Sequence, residues 1–437
     1  MFSYYFWLGW RNLKRNPALT ILMVITLAIG VAASVSTLTI LHVMSGDPIP
    51  RKSDKLFSVI LDNNPAQGYT PGELSTDHQM TYRDLKNLLA SQQGERRMGL
   101  YAIDGIIEPA RSDLAVTNAN GLAASRDIFR MLDIPFLYGQ AWRESEDAQG
   151  RDVVVLSKKT AEKLFAAVNP VGQYLKMWGR EYQIVGVFDT WSIKPRFYHY
   201  NGRTSAFATD EEFIVPLSSA IRHETPHSGS MSCSAKRDPG WQALLDSECT
   251  WLSFWFEMKN PAERQSLQSY IDHYVSEQAK LGRFPRHAPN RLFNVREWLL
   301  EMHVVGNDNK LSAWLAGGFL LLCLVNTIGL LLAKFSVRSA EVGVRRALGA
   351  SRKEIFTQFL IETSVIGLVG AVLGIVLSFG ALMLIAMQSR YLKEVAHMDW
   401  VMLLTAVLMS IGAAILAGML PTWRACQITP AIQLKSQ

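Results

Sequence analysis

The sequence predicts a membrane α-helical protein: four transmembrane helices, with a large α+β extracytoplasmic domain inserted between the first and second. Three observations carry that prediction. Four runs, Ala18–Met44, Leu311–Ala333, Thr363–Ser389 and Trp400–Trp423, contain no Asp, Glu, Lys or Arg. Each is long enough for a helix to cross about 30 Å of hydrocarbon, which takes roughly 20 residues. Basic residues gather at the flanks of these runs, and the stretch between the first two alternates strand and helix signals.

Composition agrees. The 437 residues are 49% hydrophobic and 19% charged, too polar for a compact polytopic carrier. A soluble protein, conversely, would not concentrate its apolar residues into uncharged runs. The net charge of +6 raises nucleic acid as a partner. The cations sit beside the apolar runs, however, where membrane orientation uses them, so nucleic acid is not expected.

Residues 1–16 mix Phe2, Tyr5, Phe6, Leu8, Trp10 and Leu13 with late positive charges, an amphipathic segment suited to the membrane interface. Asn16 and Pro17 read as N-cap and first helical residue of the first span, 17–45. Its apolar run exceeds the 7–15-residue core of a signal peptide and lacks a small-x-small exit, so a retained anchor is expected. The second span covers 310–334, the third 355–389 and the fourth 400–423, with a short periplasmic loop at 390–399 and a tail at 424–437. Arg11, Lys14 and Arg15 precede the first span, and Lys334, Arg338, Arg345, Arg346, Arg352 and Lys353 lie between the second and third. The positive-inside bias puts both termini and that loop in the cytoplasm of a bacterial inner membrane. The roughly 265 residues from Ser45 to Asn309 then lie outside.

Within the outer domain, 46–309, Lys55–Leu61, Val153–Leu156 and Trp251–Met258 carry strand character. Tyr174–Trp178 and Tyr182–Phe188 read as strands around a turn at Trp178-Gly179-Arg180. Met80–Ala90, Ser157–Ala167 and Pro261–Leu281 have helical spacing. The stretch of about 190–250 is rich in Ser, His, Pro and Gly, and reads as an inserted subdomain or long loops. Cys233 and Cys249 fall in the oxidising compartment and are expected to pair as a disulfide staple rather than bind zinc. The nine histidines are scattered without metal-ligand spacing, and Glu211–Glu212 and Glu144/Glu146 read as solvated charges rather than acid–base groups. Neither a metal nor a catalytic residue is expected.

The loop 335–354 is the most informative piece. The helix of the second span continues to a stop at Gly349, and Ser351-Arg-Lys-Glu354 is a capping box opening the next helix. Val337, Val344 and Leu348 supply a packing face, leaving Glu341, Arg345 and Arg346 for a partner. The third span carries Gly367, Ala371, Gly374 and Ser378 on one face, a stripe suited to close helix packing. No span holds an interior carboxylate or cation, so no substrate or proton path is expected through them.

Glu341-Val-Gly-Val-Arg-Arg-Ala-Leu-Gly-Ala350, followed by Phe356-Thr-Gln-Phe-Leu-Ile-Glu362, resembles the signature of FtsX/MacB-type ABC transporter permeases. Pro421, Arg424, Ala425, Pro430, Ala431 and Leu434 resemble that family's closing pattern. Ala124–Gly139, Val153–Ser157, Leu164, Phe165, Pro170–Gly172 and Ile184–Val187 resemble its periplasmic core domain. The resemblance implies a non-catalytic subunit whose loop docks into an ATPase, with Glu341, Val344, Arg345, Arg346, Leu348, Gly349, Ser351 and Glu354 forming the coupling element. No Gly-x-x-x-x-Gly-Lys-Ser/Thr phosphate loop occurs, so the chain looks like a stand-alone permease. It would bind no cofactor itself, with ATP and Mg on a separate ABC ATPase dimer. Four unduplicated spans call for a second permease copy or a paralogue. The family also implies mechanotransmission, in which ATP-driven dimerisation moves the outer domains. It further implies efflux of a periplasmic molecule with a periplasmic adaptor and an outer-membrane channel. Alternatives within the same family are a lipoprotein-release permease and an FtsX-like regulator of cell-wall hydrolases.

Overall fold

The computed structural model describes residues 17–426 other than 74, 76, 77, 110, 112, 167, 200–205, 338–341, 343, 346, 347, 389–395 and 397–399. The amphipathic segment, the loop at 390–399 except Ala396, and most of the tail lie outside these. The chain divides into two compact units, one made of Met1–Ser45 with Val305–Gln437, the other of Gly46–Val304.

The first unit holds four long apolar helices: α1 (Pro17–Ser45), α2 (Asn307–Val337), α3 (Arg352–Gln388) and α4 (Trp400–Cys426). Small residues let them approach closely. Gly367, Ala371, Gly374 and Ser378 are all buried on α3. A Cβ on Gly374 would lie 2.9 Å from Val31, and one on Gly30 would lie 2.8 Å from Cys323. Ser34 donates to the carbonyl of Ala316 at 2.9 Å, so α1 is also tied to α2 by a polar contact. Trp314, Trp400 and Trp423 stand exposed near helix ends, where an aromatic belt meets a bilayer surface. Two helices overrun their apolar runs: α2 extends through Lys334, and α3 starts well before Glu362.

The second unit is α+β. Its strands are β1 (Leu56–Ile60), β2 (Arg96–Glu108), β3 (Thr117–Ala124), β4 (Phe136–Gly139), β5 (Val153–Ser157), β6 (Tyr174–Met177), β7 (Arg180–Phe188), β8 (Phe213–Pro216), β9 (Ser253–Glu257) and β10 (Arg291–Asn294). They form one mixed sheet in the order β10-β1-β9-β2-β3-β8-β5-β7-β4, with β6 pairing both β2 and β7. That double pairing closes β2, β3, β8, β5, β7 and β6 into a ring. Phe213 fills its interior because Gly105 and Gly121 leave room: a Cβ at either would fall 2.6 or 2.4 Å from the ring carbons.

Local chemistry explains the elements. Trp178 and Gly179 both have positive φ, 49° and 74°, the signature of a tight hairpin turn between β6 and β7. Thr81 caps the helix Tyr82–Ala90 by accepting from the Asp84 amide, and Ser157 caps Lys158–Phe165 through Thr160. Trp251, Phe254, Trp255 and Phe256 are core side chains, each at most 2% exposed. The weakly patterned stretch supplies β8, which lies between β3 and β5, so these residues are woven into the sheet rather than set apart from it. Four residues are too few to show a period in the sequence.

Candidate functional site

The hairpin between α2 and α3 is built from backbone signals. Leu348 N–H donates to Val344 O and Ala350 N–H to Arg345 O, both at 3.0 Å, closing the first helix of the hairpin. Gly349 follows at φ +99°, a conformation that costs a side-chain-bearing residue far more than glycine. Ser351 then begins α3. Its N–H donates to Glu354 Oε2 at 2.9 Å, and the Glu354 N–H donates back to Ser351 Oγ at 3.2 Å, a reciprocal capping box.

The expected packing face is reversed. Val337, Val344 and Leu348 are 77, 57 and 83% exposed, whereas Val342 is buried with Leu331, Phe335, Ile355 and Phe359. Residues two apart on a helix point about 200° apart, so burying Val342 turns Val344 outward. Arg345 is half-buried and donates to Gln358 Oε1 on α3 at 2.9 Å. Glu341 and Arg346 lie outside the described residues.

Deeper between the same helices, Lys334 Nζ lies 3.1 Å from Glu362 Oε1, with both side chains almost fully buried. The expectation of spans without interior charge is therefore corrected. Lys334 and Glu362 sit one residue beyond the apolar runs. Composition ends a span there, but the backbone continues as helix and brings the two together. The missed signal is the uninterrupted helical pattern on either side of each charge.

In the outer unit, Cys233 is joined to Cys249. Beside the bridge is a cleft of about 660 Å³ whose lining includes Lys236, Arg237, Glu248 and Arg283. Arg283 is buried and already committed: it donates to both Asp84 oxygens at 2.7 Å and to both Glu248 oxygens at 2.8 Å. These contacts hold its guanidinium pKa further up despite burial.

Two other polar clusters were not legible in the sequence. Asp152 Oδ1 receives Ser219, Arg222 and His223, each at 2.7 Å. Ser219 and His223 both spend their contact on the carboxylate, which makes a staple and not a nucleophile with its base. Glu211 is buried, 3.4 Å from Arg196 and accepting from the Tyr198 hydroxyl at 2.8 Å. It is not the solvated charge expected of it, because the fold folds Lys194–Tyr198 back over it. Glu144 is exposed as expected, whereas the Glu146 side chain is only 16% exposed and accepts from the Arg143 amide.

With this geometry in view, the chain compares with known proteins as follows. Residues 20–274 match the model of the MacB-like periplasmic core domain, and residues 314–430 match that of the FtsX-like permease C-terminal domain. The chain belongs to the MacB-like, FtsX-like family of ABC transporter permeases. The uncharacterized ABC transporter permease YknZ of Bacillus subtilis is 22% identical over 303 residues, 68% of this permease and 65% of YknZ. The macrolide export ATP-binding/permease protein MacB of Hyphomonas neptunium is 22% identical over 438 residues, 98% of this permease and 60% of the relative. The permease thus spans less than two thirds of either relative's length. The periplasmic region of MacB from Actinobacillus actinomycetemcomitans aligns with a TM-score of 0.35 and 13% identity, over 56% of this permease and 92% of that structure. Four apolar helices and a periplasmic-type domain fit an inner-membrane protein. In the permease the hairpin lies within the FtsX-like part and the disulfide within the MacB-like part.

Proposed function

We propose that this permease converts ATP-driven closure of a cytoplasmic ABC ATPase dimer into motion of its extracytoplasmic domain. Both termini and the α2–α3 hairpin face the cytoplasm, and the large domain faces the periplasm. ATP and Mg are bound by the ATPase chain. The machine carries a second permease copy or a paralogue and exports a periplasmic substrate with a periplasmic adaptor and an outer-membrane channel. Glu341, Arg345 and Arg346 take part in docking.

One observation carries this reading. The hairpin presents Val344 and Leu348 outward from a tip whose backbone is fixed at both ends by Gly349 and the Ser351–Glu354 box. Exposed apolar side chains on a rigid polar turn are costly unless a partner covers them. The basic residues around the loop favour its cytoplasmic side, where an ATPase would stand. The relatives, a macrolide export ATP-binding/permease protein among them, support a transport role.

The test is co-expression with small ABC ATPases, purification in lipid nanodiscs and measurement of ATP hydrolysis, repeated with Leu348→Asp and with Arg345→Glu/Arg346→Glu. The expected result is a stable complex with wild type, and loss of assembly or of stimulated hydrolysis in both variants. A folded wild-type chain that binds no ATPase would overturn the proposal.

A further inference from the structure

Three short helices of the outer unit line a pocket of about 330 Å³, at the lower end of the roughly 300–1,000 Å³ typical of small-molecule sites. Tyr82, Leu85 and Leu89 recur at three- and four-residue spacing, so one face of the helix Tyr82–Ala90 forms the first wall. Leu217 and Ile221, four apart on the helix Leu217–Arg222, form the second. Leu85 and Leu217 belong to the buried core, and Tyr82, Leu89 and Ile221 pack half-buried against it. The apolar lining is therefore the edge of the core itself, held in place by packing.

Three charged side chains line the same pocket. Lys86 comes from the helix Tyr82–Ala90, whereas Glu144 and Asp147 come from the helix Glu144–Ala148. Lys86 and Glu144 are exposed, and among the described residues neither takes part in a salt bridge. Opposite charges that share a pocket without touching are held apart by the helices that carry them. Asp147 lies deeper. Its carboxylate accepts from the Arg126 amide at 3.3 Å and from Ser218 Oγ at 3.5 Å. Both contacts are long and leave acceptor capacity on the oxygens. Burial pushes the Asp147 carboxyl pKa up, and a cation brought beside it would favour the ionised form.

We propose that this pocket binds a small apolar zwitterion, an amino acid or dipeptide with aliphatic or aromatic side chains. The ligand ammonium sits against Glu144 and Asp147, its carboxylate meets Lys86, and its side chains lie on the wall of Leu85, Leu89, Leu217 and Ile221. A purely apolar ligand would cover Asp147 without giving it a donor, which is costly. A purely cationic one would be repelled by Lys86. A zwitterion answers both signs of charge and fills the apolar space between them. The assignment goes beyond the ATP-coupling reading and does not depend on it, since binding here needs neither an ATPase nor movement of the membrane helices.

The experiment uses the full chain in lipid nanodiscs without ATPase, with empty nanodiscs as the blank, and follows binding of leucyl-leucine by ligand-observed NMR. The expected dissociation constant is about 1 mM or below. Acetylating the amine or amidating the carboxylate should each weaken binding by about tenfold or more, and glycyl-glycine should not bind. Lys86→Met/Glu144→Gln changes two exposed side chains. It should melt as wild type does and lose affinity by about tenfold or more. Leu89→Trp, which fills the pocket from its rim, should abolish binding. No binding of leucyl-leucine to wild type at millimolar concentration would overturn the proposal. Equal affinity for the capped dipeptides, or for Lys86→Met/Glu144→Gln, would overturn the charge recognition on which it stands. Undiminished binding to Leu89→Trp would put the dipeptide elsewhere, with the same consequence. Should a variant melt below wild type, the capped dipeptides on the wild-type chain decide alone.

Discussion

At the scale of single residues, three donors converging on Asp152 Oδ1 make a staple from the residue before β5 to the helix Leu217–Arg222 and its cap His223. Partial burial opposes ionisation of this carboxyl. Hydrogen bonds from Ser219 and His223, with the charges of His223 and Arg222, outweigh that and hold its pKa below the ordinary 3.8. A depressed carboxylate pKa stabilises the folded state fully above the unfolded value, and the contribution disappears as pH falls through the folded one. Asp152→Asn should therefore lower stability at pH 7 by about 1–2 kcal/mol, the worth of a charge-assisted contact less what the amide keeps. It should also flatten the loss of stability expected of wild type below about pH 4. Thermal melts of the full chain between pH 3 and 7 would read both effects.

Among elements, α3 depends most visibly on a local signal. Ser351 and Glu354 satisfy each other's amides at its first turn, where four N–H groups would otherwise lack partners. Removing the hydroxyl by Ser351→Ala should cost about 0.5–2 kcal/mol of local helix stability. The expected sign is faster hydrogen exchange at the amides of 352–355, with exchange near Gly370 unchanged. Equal protection throughout would mean that tertiary packing, through Ile355 and Phe359, sets the helix start. The same hairpin shows the limit of pattern reading. The apolar residues at 337, 342, 344 and 348 are all plausible for an inward face. Val342 is the one the α2–α3 packing selects.

On the scale of the whole chain, the outer unit is closed by one covalent link. The Cys233–Cys249 bridge spans 16 positions, a loop whose closure is worth about 3 kcal/mol if the effect lies in the unfolded chain. Cys233→Ser/Cys249→Ser, or reduction of wild type, should lower the melting temperature of the outer unit by several degrees. The melting of α1–α4 should stay in place. Calorimetry of the full chain separates the two transitions if the units unfold independently, and a common downward shift would show that they unfold together. Glu248, next to Cys249, is held to Arg283 and through it to Asp84, so loss of the bridge is also expected to loosen that network.

Sequence by itself determined what neighbours along the chain decide. Uncharged length marked the four helices, flanking charge suggested their orientation, and Gly349 with Ser351 and Glu354 marked the turn. Turn residues at 178–179 and the strand character of β1, β5 and β9 made much of the α+β domain legible. The family signature was readable as well, since it lies in contiguous motifs. Tertiary structure alone decided which distant residues meet. It closed a six-strand ring around Phe213, placed the four residues of β8 between β3 and β5, and gathered Asp152 with Ser219, Arg222 and His223. It also paired Lys334 with Glu362 across 28 positions of chain. The reason is physical: capping, turn geometry and hydropathy act over a few residues. The burial of a charge, by contrast, is permitted only by the partner that packing brings to it, and no local pattern encodes that partner.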